Sequence, residues 1–368
     1  MKKCLITILL TTVIVFSLSA QIQQFTWQGV EREYIVHTPA NHEGPMPVLF
    51  FLHGLNKLIL PCDQEFNFSQ MAEDFGWAIV IPQALNLGLG AMWNAGLIES
   101  SVDDAGFLLA LLDSLTVPLQ LNPDSVFFTG FSMGGFMTHR MAIEHGDRIT
   151  ACASVSGLIS YSMAAQTPVT PVRMLHIHGS SDNVVGYSGY SAYFHTDIGL
   201  GVSDVLNYWQ NANGCNGAPT VDTFPDLKDD GLRFIRYTYN CGTDLQLLKV
   251  ANGLHAWYGD TNQYDVDYKE IIYEFFTGHP LSSAIPVHKM EPLHVWPNPT
   301  QGILHIQITD PDSPEIQVFD IYGKLMDVVK TVCVSFPQTI QIDLSHFPNG
   351  VYFVREQSGT VTKVILKR

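Results

Sequence analysis

A glycine-flanked serine is the sharpest chemical signal in this sequence. Residues 130–134 read Gly-Phe-Ser-Met-Gly and follow the apolar run 125–129. Glycines two positions before and after a serine, between a buried strand and a helix, are typical of a nucleophile elbow. The turn is so tight that the glycines are needed to keep neighbouring side chains away from the hydroxyl. Ser132 is therefore predicted to be a catalytic nucleophile.

A serine hydroxyl becomes an effective nucleophile only when a base takes its proton. With a nucleophile elbow, the expected chain order is serine, then acid, then histidine. Asp182 and His255 occur in that order, and each follows an apolar run that predicts a core strand. The other aspartates between residues 204 and 230 do not directly follow such a strand. The predicted catalytic residues are Ser132, Asp182 and His255.

An oxyanion hole is expected where the first buried strand ends, at His53-Gly54-Leu55. Its donors would be the backbone N–H groups of Leu55 and Met133, the residue after the nucleophile. Two such donors stabilise the negative charge of a tetrahedral intermediate. The side chain of His53 is expected to brace this loop rather than to take part in the chemistry.

Aromatic residues on predicted loops at this edge of the sheet could bind a substrate. Trp93, Tyr187, Tyr190 and Trp257 are candidates for an aromatic wall, and a structural role is the alternative for each.

Two other clusters favour structural roles. His176 and His178 share a strand face, but no third ligand lies nearby and the chain has no CxxC pair, so no metal site is predicted. Asp103 and Asp104 could resemble a glycosidase carboxylate pair, but adjacent residues at a helix start point in different directions, which favours capping.

The elements that must position these residues alternate between strands and helices. Strands are predicted at 25–38 (a pair at an edge), 47–52, 77–81, 125–129, 149–155, 173–177 and 245–250, and helices at 102–116, 133–145 and 264–277. This alternation predicts an α/β domain with a mostly parallel sheet covered on both faces.

The composition of the chain shifts after residue 278. Prolines and serines mark a linker at 279–293, and strands with turn signals follow at 303–308, 316–321, 339–344 and 351–354. We therefore predict a catalytic domain over 21–278 and a small β-sandwich over 294–368, which holds no catalytic cluster.

The composition of the chain indicates its class of protein and its partners, and its first twenty residues indicate where it is located. The chain has 368 residues, of which 46 % are hydrophobic and 15 % charged, with a net charge of −16. This argues against disorder and against nucleic-acid partners, which need cationic surfaces. Lys2, Lys3, an apolar run at 5–16 and small residues at 17–20 predict a signal peptide over 1–20, cleaved before Gln21. No later stretch is long enough to cross a bilayer.

The cysteines suggest an intramolecular bridge. Cys62, Cys152, Cys215, Cys241 and Cys333 remain beyond the predicted signal peptide. Their number is odd, so at least one is free or pairs elsewhere. Cys152 lies in an apolar run, whereas Cys215 and Cys241 lie in polar loops and are the best candidates for a disulfide. The pairing of Cys62 and Cys333 stays open.

Residues 45–278 resemble the secreted poly(3-hydroxybutyrate) depolymerase and feruloyl esterase group of α/β-hydrolases, similar to carbohydrate esterase family 1. The resemblance rests on the segments Val102–Phe107, Asn122–Val126, Gly130–Gly135, Trp209 and Asn213–Cys215. It implies that Ser132 is the nucleophile, Asp182 the acid and His255 the base, and it strengthens the Cys215–Cys241 pairing. Two positions depart from the group: Tyr258 replaces the proline that often follows the tryptophan, and Leu55 replaces a common cysteine.

Residues 294–368 resemble the C-terminal sorting domain of type IX secretion. The matching segments are Trp296–Pro299, Val318–Lys324, Phe347–Phe353 and the basic pair Lys367-Arg368. The resemblance implies export through the periplasm, passage across an outer membrane by the type IX machinery, and either cleavage of this domain or attachment at the cell surface.

Together these observations predict a secreted serine carboxylic-ester hydrolase that needs no cofactor. The substrate stays open between a polyester such as polyhydroxyalkanoate, feruloylated or acetylated xylan, and small esters. A prolyl-oligopeptidase-like peptidase is an alternative with the same triad order. A catalytically inactive surface-binding protein is the alternative from another class.

Overall fold

The chain folds into two compact units that divide between Leu281 and Ser282. The computed structural model describes residues 21–42, 44–228, 230–279, 294–308, 315–320, 324–330, 338–356 and 361–368. The predicted signal peptide, nearly all of the predicted linker and Cys333 therefore lie outside the described residues. Among the helices that are described, none has both the length and the apolar composition needed to span a membrane.

The first unit alternates strands and helices along most of its length. Its strands are β1 (Gln23–Trp27), β2 (Val30–His37), β3 (Met46–Leu52), β4 (Ala78–Pro82), β5 (Leu121–Phe131), β6 (Ala151–Val155), β7 (Arg173–Gly179), β8 (Tyr190–Ser191), β9 (Thr196–Asp197), β10 (Thr220–Thr223), β11 (Arg233–Tyr239) and β12 (Leu245–Ala251). Its helices are α1 (Ile59–Phe66), α2 (Phe68–Phe75), α3 (Asp104–Thr116), α4 (Met133–His145), α5 (Tyr161–Ala164), α6 (Val202–Asn213) and α7 (Tyr268–Thr277).

In the described part of this unit, ten strands form one mixed sheet in the order β1-β2-β4-β3-β5-β6-β7-β12-β11-β10. The central strands β4, β3, β5, β6, β7 and β12 pair in parallel, and antiparallel strands cover both edges. This confirms the predicted mostly parallel sheet and the predicted edge pair. The carboxyl ends of β5, β7 and β12 consequently lie at one edge, where loops can meet.

Two apolar cores cover the two faces of the sheet. Phe50 of β3 packs into the core that contains α3, α4 and α6, whereas its neighbours Leu49 and Phe51 pack into the core that contains α2 and α7. Successive side chains of a strand point to opposite faces, so a strand buried on both faces must be apolar throughout. The apolar run 47–52 meets that requirement, and α3 and α4 begin within two residues of their predicted starts.

The second unit consists of antiparallel strands. They are β13 (His294–Trp296), β14 (Ile303–Ile308), β15 (Glu315–Asp320), β16 (Leu325–Lys330), β17 (Gln338–Asp343), β18 (Gly350–Glu356) and β19 (Val361–Leu366). In the described residues they form a sheet β13-β14-β17 and a sheet β16-β15-β18-β19. Ile306 and Ile342 of the first sheet share one buried core with Val318 and Val354 of the second. This is the arrangement of a small β-sandwich.

Candidate active site

Ser132 occupies a sharp turn between the end of β5 and the start of α4. Its φ of 57° and ψ of −118° lie in a region that residues with a side chain rarely adopt. A Cβ on Gly130 would stand 2.4 Å from the carbonyl carbon of Gly134, and a Cβ on Gly134 would stand 1.8 Å from the Leu52 carbonyl oxygen. Only glycine at both positions lets β3, β5 and α4 approach so closely. The elbow geometry expected from the sequence is therefore present.

Asp182 and His255 are joined by a short hydrogen bond. His255 Nδ1 lies 2.7 Å from Asp182 Oδ2. The other carboxylate oxygen, Oδ1, accepts hydrogen bonds from the backbone N–H groups of Val184, at 2.9 Å, and Val185, at 2.8 Å. These bonds fix the rotamer of Asp182. Because a carboxylate can only accept, the His255 proton in this bond is on Nδ1, and in the neutral form of the ring Nε2 is then an acceptor.

Ser132 and His255 line the same cavity, which has a volume of about 300 Å³. We call it the Ser132 cavity. Most of its remaining walls are apolar: Leu55, Leu89, Leu97, Phe131, Met133, Phe136, Val184, Val185, Tyr193, Phe194 and Ile198. The lining comes largely from the segments that follow β3, β4 and β7. The structure therefore brings a serine, a histidine and an aspartate together beside an apolar cavity.

His53 braces the loop that carries Leu55. Its Nε2 accepts a hydrogen bond from the backbone N–H of Ala84, at 3.0 Å, and its Nδ1 lies 2.8 Å from the carbonyl oxygen of Gly54, to which it must donate. Burial lowers the pKa of His53 to about 4, so the ring is neutral near pH 7 and can make both bonds. The expected bracing role is confirmed. Leu55 and Met133 line the Ser132 cavity, where their expected oxyanion role is a proposal.

The prediction that Trp93 belongs to a substrate-binding wall is wrong. Its side chain is 0 % exposed and packs in the core, so it has no surface to offer a substrate. A buried indole N–H needs an acceptor, and Trp93 donates to the carbonyl oxygen of His53 at 3.0 Å. Trp93 therefore supports the loop at Gly54 and Leu55 from beneath.

The other aromatic candidates differ in position. Tyr187 is half-buried, packs edge-on against His178 and is not among the residues that line the Ser132 cavity. Tyr190 is 45 % exposed on β8. Trp257 is half-buried and lines a second cavity beside His255. Trp257 is therefore the one of these four whose position fits the expected substrate contact.

The two histidines on β7 belong to a row of buried imidazoles. The rings of His139, His176 and His178 stack with centroids 5.4 and 5.3 Å apart. Trp209 Nε1 donates to His139 Nδ1 at 3.2 Å, and the Nε2 of His178 donates to the carbonyl oxygen of Val185 at 2.8 Å. Burial lowers the pKa of all three histidines.

This histidine row has a structural role. Within the described residues, the rings do not bring three ligand atoms within 4.8 Å of one another, as a shared metal ion would require. His178 also approaches the proposed acid, with Nε2 at 3.6 Å from Asp182 Oδ2. Its bond to Val185 therefore supports the turn that holds Asp182.

The adjacent aspartates at the start of α3 have separate structural roles. Asp103 caps the helix by accepting a hydrogen bond from the backbone N–H of Gly106 at 2.9 Å. Asp104 is fully buried and pairs with Arg32 of β2 at 2.7 Å. The expected capping role is confirmed for Asp103, and neither carboxylate is free for glycoside chemistry.

Cys215 and Cys241 form a disulfide, as expected. It joins the end of α6 to the segment after β11. Cys62 and Cys152 carry free, buried thiols. Burial raises the pKa of the Cys62 thiol to about 12, so this thiol is protonated and unreactive near neutral pH.

Several residues of the Ser132 cavity were not singled out from the sequence. Leu89 and Leu97 lie in the long segment between β4 and α3, and Tyr193 and Phe194 lie between β8 and β9. An adjacent tyrosine and phenylalanine in a glycine-rich segment just after the predicted acid were the available signal. Their place over the cavity depends on how the segment folds back, which local sequence does not determine.

Comparison with known proteins agrees with the two units. The phospholipase/carboxylesterase family model matches residues 101–196, which include Ser132 and Asp182. The secretion system C-terminal sorting domain matches residues 294–367. The sorting domain indicates type IX secretion to the cell surface or the extracellular space.

Similar proteins include several esterases. NocK of Nocardia uniformis subsp. tsuyamanensis, named as an esterase, is 26 % identical over 253 residues, which cover 64 % of this chain and 73 % of NocK. The bifunctional acetylxylan esterase/xylanase XynS20E of Neocallimastix patriciarum is 27 % identical over 168 residues, 44 % of this chain and 23 % of that protein. Feruloyl esterase B of Piromyces equi is 24 % identical over 204 residues, 52 % of this chain and 37 % of that protein.

The solved structure of acetyl xylan esterase from Aspergillus awamori superposes with a TM-score of 0.51 at 16 % identity. The match covers 69 % of this chain and 99 % of that one and shows a common fold. The family match and the esterase relatives identify the activity class, and the resemblances to feruloyl esterases and to the sorting domain are confirmed. The chain is therefore a carboxylesterase-type hydrolase of the α/β-hydrolase fold, followed by a secretion system C-terminal sorting domain.

Proposed function

We propose that this protein hydrolyses carboxylic esters through Ser132 as nucleophile, His255 as base and Asp182 as the acid that orients it. One observation carries the proposal. The His255 ring is held by Asp182 at 2.7 Å and lines the same cavity as Ser132. The proposal adds the proton transfer between the Ser132 hydroxyl and His255 Nε2.

The reaction proceeds in two halves. Ser132 Oγ attacks the ester carbonyl carbon while its proton passes to His255 Nε2, and the resulting imidazolium is stabilised by the Asp182 carboxylate. His255 then gives this proton to the departing alkoxide, which leaves an acyl-enzyme. Water, deprotonated by His255, attacks the acyl-enzyme and releases the carboxylic acid and the free serine. No step requires a cofactor.

The tetrahedral oxyanion is proposed to bind the backbone N–H groups of Leu55 and Met133. Met133 is the first residue of α4, a helix of 13 residues, and amides of a first helical turn have no partner within the helix. The positive end of the helix dipole adds to their effect. The short loop that bears Leu55 is held by His53 and Trp93, so its amide is positioned before a substrate arrives.

The apolar walls of the Ser132 cavity favour an acyl group that is small or aromatic. The cavity volume of about 300 Å³ is at the lower end of the range for ligand sites, about 300–1,000 Å³. Acetyl and feruloyl groups, the acyl groups named in two relatives, are the proposed acyl substrates. A polyester stays the alternative within the same chemistry.

We propose that segments at the two ends of the chain direct its secretion. Residues 1–20 would direct export into the periplasm, and residues 294–368 would engage the type IX machinery, as the sorting domain match supports. The hydrolase would then act on an ester substrate outside the cell.

The test is product release by the purified protein and by Ser132→Ala on methyl ferulate, p-nitrophenyl acetate and a short polyhydroxybutyrate oligomer. We expect hydrolysis of the first two by the parent and a loss of at least about 1,000-fold in the variant. Matched amides test the peptidase alternative and should not be cleaved. A folded parent that hydrolyses no ester would contradict the proposal and favour a binding protein.

A further inference from the structure

Residues 83–94, which lie between β4 and α3 and which we call the support segment, hold the loop proposed to bear an oxyanion donor. The carbonyl oxygen of Ala91 accepts a hydrogen bond from the backbone N–H of Asn56 at 2.7 Å. Trp93 Nε1 donates to the carbonyl oxygen of His53 at 3.0 Å. The loop is therefore bonded to the support segment on both sides of its proposed donor.

The direction of the Leu55 N–H depends on how this loop is held. A trans peptide is planar, with its C=O and N–H groups on opposite sides. His53 Nδ1 donates to the carbonyl oxygen of Gly54 at 2.8 Å, so the Leu55 N–H of the same peptide points away from the His53 ring. A Cβ on Gly54 would stand 3.5 Å from Ser132 Cβ, so Gly54 lies beside the proposed nucleophile. A rotation of the His53 backbone would therefore change the direction of the Leu55 amide relative to Ser132.

A buried ion pair anchors both ends of the support segment. Arg32 of β2 and Asp104 of α3 are both buried, and Arg32 Nη2 lies 2.7 Å from Asp104 Oδ1. Arg32 Nη2 also donates to the carbonyl oxygen of Gln83, the first residue of the segment, at 3.3 Å. The other oxygen of Asp104, Oδ2, accepts a hydrogen bond from the backbone N–H of Asn94, the last residue, at 2.7 Å. The pair thus fixes the two ends relative to each other.

We propose that Arg32 and Asp104 are positioning residues for ester hydrolysis, which act through the support segment on the Leu55 amide of the oxyanion hole. This inference rests on the proposed serine mechanism and adds the residues that fix one of its two oxyanion donors. Neither side chain lines the Ser132 cavity, so both act without touching the substrate.

Positioning explains the burial of this pair better than stability does. Taking two charges out of water is costly, and an apolar pair of similar size often gives an equally stable fold. An apolar pair would, however, leave the Gln83 carbonyl and the Asn94 N–H without these partners. Hydrogen bonds to charged groups are stronger than those between neutral groups, so the pair holds both backbone groups firmly. The Phe107 ring fixes the Arg32 rotamer, with Cζ 3.8 Å from the ring centroid.

A second basic side chain connects the support segment to α4. Arg140 Nη1 donates to the carbonyl oxygen of Asn94, and Arg140 Nε donates to Glu144 Oε2 at 2.9 Å. The backbone N–H and C=O of Asn94 are thus held from α3 and from α4, respectively. Helix α4 begins at Met133, the other proposed oxyanion donor. Asn94 therefore links the segment that supports one donor to the helix that carries the other.

The experiment compares two double variants that both lack the ion pair. In Arg32→Met/Asp104→Leu, apolar side chains fill the space and accept no hydrogen bond. In Arg32→Met/Asp104→Asn, the amide oxygen can still accept the Asn94 N–H. On p-nitrophenyl acetate, kcat of the Leu variant should fall about 10-fold with KM unchanged, because the oxyanion forms only in the transition state. The Asn variant should recover part of this loss, because it keeps one of the two anchors.

The pH profile and a control pair separate this role from other effects. The pH at which kcat/KM is half-maximal follows the protonation of His255, and it should not move, because the bond between Asp182 and His255 is untouched. Arg236→Met/Glu274→Leu removes an ion pair between β11 and α7, away from the Ser132 cavity, and should leave kcat as in the parent. Circular dichroism and urea denaturation establish that each variant is folded in the assay.

A further variant keeps the test decisive if the core substitutions prevent folding. Arg140 is 15 % exposed, so Arg140→Met removes the bond to the Asn94 carbonyl and leaves the core intact. Its kcat should fall about threefold with KM unchanged.

The outcomes separate this inference from the proposed function. Parent values of kcat and KM in folded Arg32→Met/Asp104→Leu would overturn the positioning role and leave the serine mechanism intact, as would a shifted pH profile. If that variant does not fold, a parent kcat in Arg140→Met overturns the role instead. No hydrolysis of p-nitrophenyl acetate or methyl ferulate by the parent would contradict the proposed function itself.

Discussion

The residues proposed to carry the chemistry and those that line the cavity are held in different ways. Ser132, Asp182 and His255 follow β5, β7 and β12, strands within a continuous run of parallel pairs at the centre of the sheet. The cavity walls come from longer segments after β3, β4 and β7, such as those that carry Leu97 and Tyr193.

This difference means that one set of residues carries the reaction and another selects the substrate. The positions of the three polar side chains depend on strand register and on glycine contacts that tolerate no added atom. The walls lie on connections at the sheet edge, where sequence can vary without disturbing the sheet. We therefore expect substitutions beneath the sheet edge to lower activity or stability, and substitutions in the cavity walls to alter only the choice of substrate.

The largest effect should come from Asp182→Asn. The amide cannot provide the negative charge that stabilises the His255 imidazolium, and it can hold the ring in the wrong tautomer, so kcat should fall by about 10,000-fold. The assay is p-nitrophenyl acetate hydrolysis, with urea denaturation to establish that the variant is folded. Asp204→Asn, an exposed aspartate at the start of α6, is the matched control and should retain the parent rate. A loss below 10-fold in Asp182→Asn would contradict the assigned role.

Acid should destabilise the catalytic unit through its buried histidines. Burial lowers the pKa of His53 to about 4 and that of His139 to about 3, and it also lowers the pKa of His176 and His178. In the unfolded chain these groups titrate near pH 6.5. Below that pH the unfolded state binds more protons, so the free energy of unfolding falls as pH drops, by up to about 1.4 kcal/mol per pH unit for each proton.

Urea denaturation at pH 7.5, 5.5 and 4.5 measures this dependence. His139→Phe removes one of the four groups and should make the pH dependence shallower. A free energy of unfolding that stays constant between pH 7.5 and 4.5 would show that these histidines are not held neutral.

Loss of the disulfide should reduce stability and spare the chemistry. The Cys215–Cys241 bond spans a sequence separation of 26 residues, for which loop-closure entropy predicts a loss of about 3.5 kcal/mol in the free energy of unfolding. Neither cysteine lines the Ser132 cavity. The double variant Cys215→Ser/Cys241→Ser should thus unfold at lower urea concentration but retain kcat within about twofold. A large loss of kcat in folded protein would show that this distant disulfide affects the reaction itself.

Substitutions at His178 test whether its hydrogen bond to the turn that holds Asp182 affects catalysis. His178→Leu removes the N–H that bonds the Val185 carbonyl and should lower kcat about 10-fold with little change in KM, as expected for a hydrogen bond worth about 1.4 kcal/mol. His178→Gln places an amide N–H near the former Nε2 and should recover part of the loss. Equal kcat in the Leu and Gln variants would show that the bond to Val185 does not act on catalysis.

The smallest effect on activity should come from a substitution in the wall of the Ser132 cavity. Tyr193 is 66 % exposed at the Ser132 cavity, so Tyr193→Ala removes only part of the contact with a bulky acyl group. We expect the ratio of kcat/KM on methyl ferulate to that on p-nitrophenyl acetate to fall about threefold, equivalent to about 0.65 kcal/mol. A loss of both activities together would mean that this wall does more than select the acyl group.

The sequence predicted the sheet and the polar side chains at its edge better than it predicted the cavity walls. The alternation of apolar runs, the glycines around Ser132 and the chain order of Asp182 and His255 are local patterns, and they sufficed to place the sheet and the three polar side chains. The helical pattern of 264–277 predicted α7 but started it four residues early, because residues 264–267 form a bend and irregular backbone that ends at the Asp267 cap.

The walls could not be predicted in this way. Trp93 and Trp257 both lie in loops near the sheet edge, yet one is fully buried under His53 and the other is half-exposed beside His255. Their orientation depends on which distant elements pack against each loop. The antiparallel strands β10 and β11 were also not predicted, because β10 is exposed at every residue and β11 is buried at only one. Helix α6 was missed although its buried Val202, Val205, Leu206 and Trp209 have helical spacing.

The most direct test of the central claim is covalent labelling of the intact protein by a fluorophosphonate probe, followed by peptide mass spectrometry. We expect one equivalent of label on the peptide that contains Ser132, together with loss of both label and ester hydrolysis in Ser132→Ala. A label on another residue, or a Ser132→Ala variant that hydrolyses p-nitrophenyl acetate at the parent rate, would contradict the role of Ser132 as nucleophile.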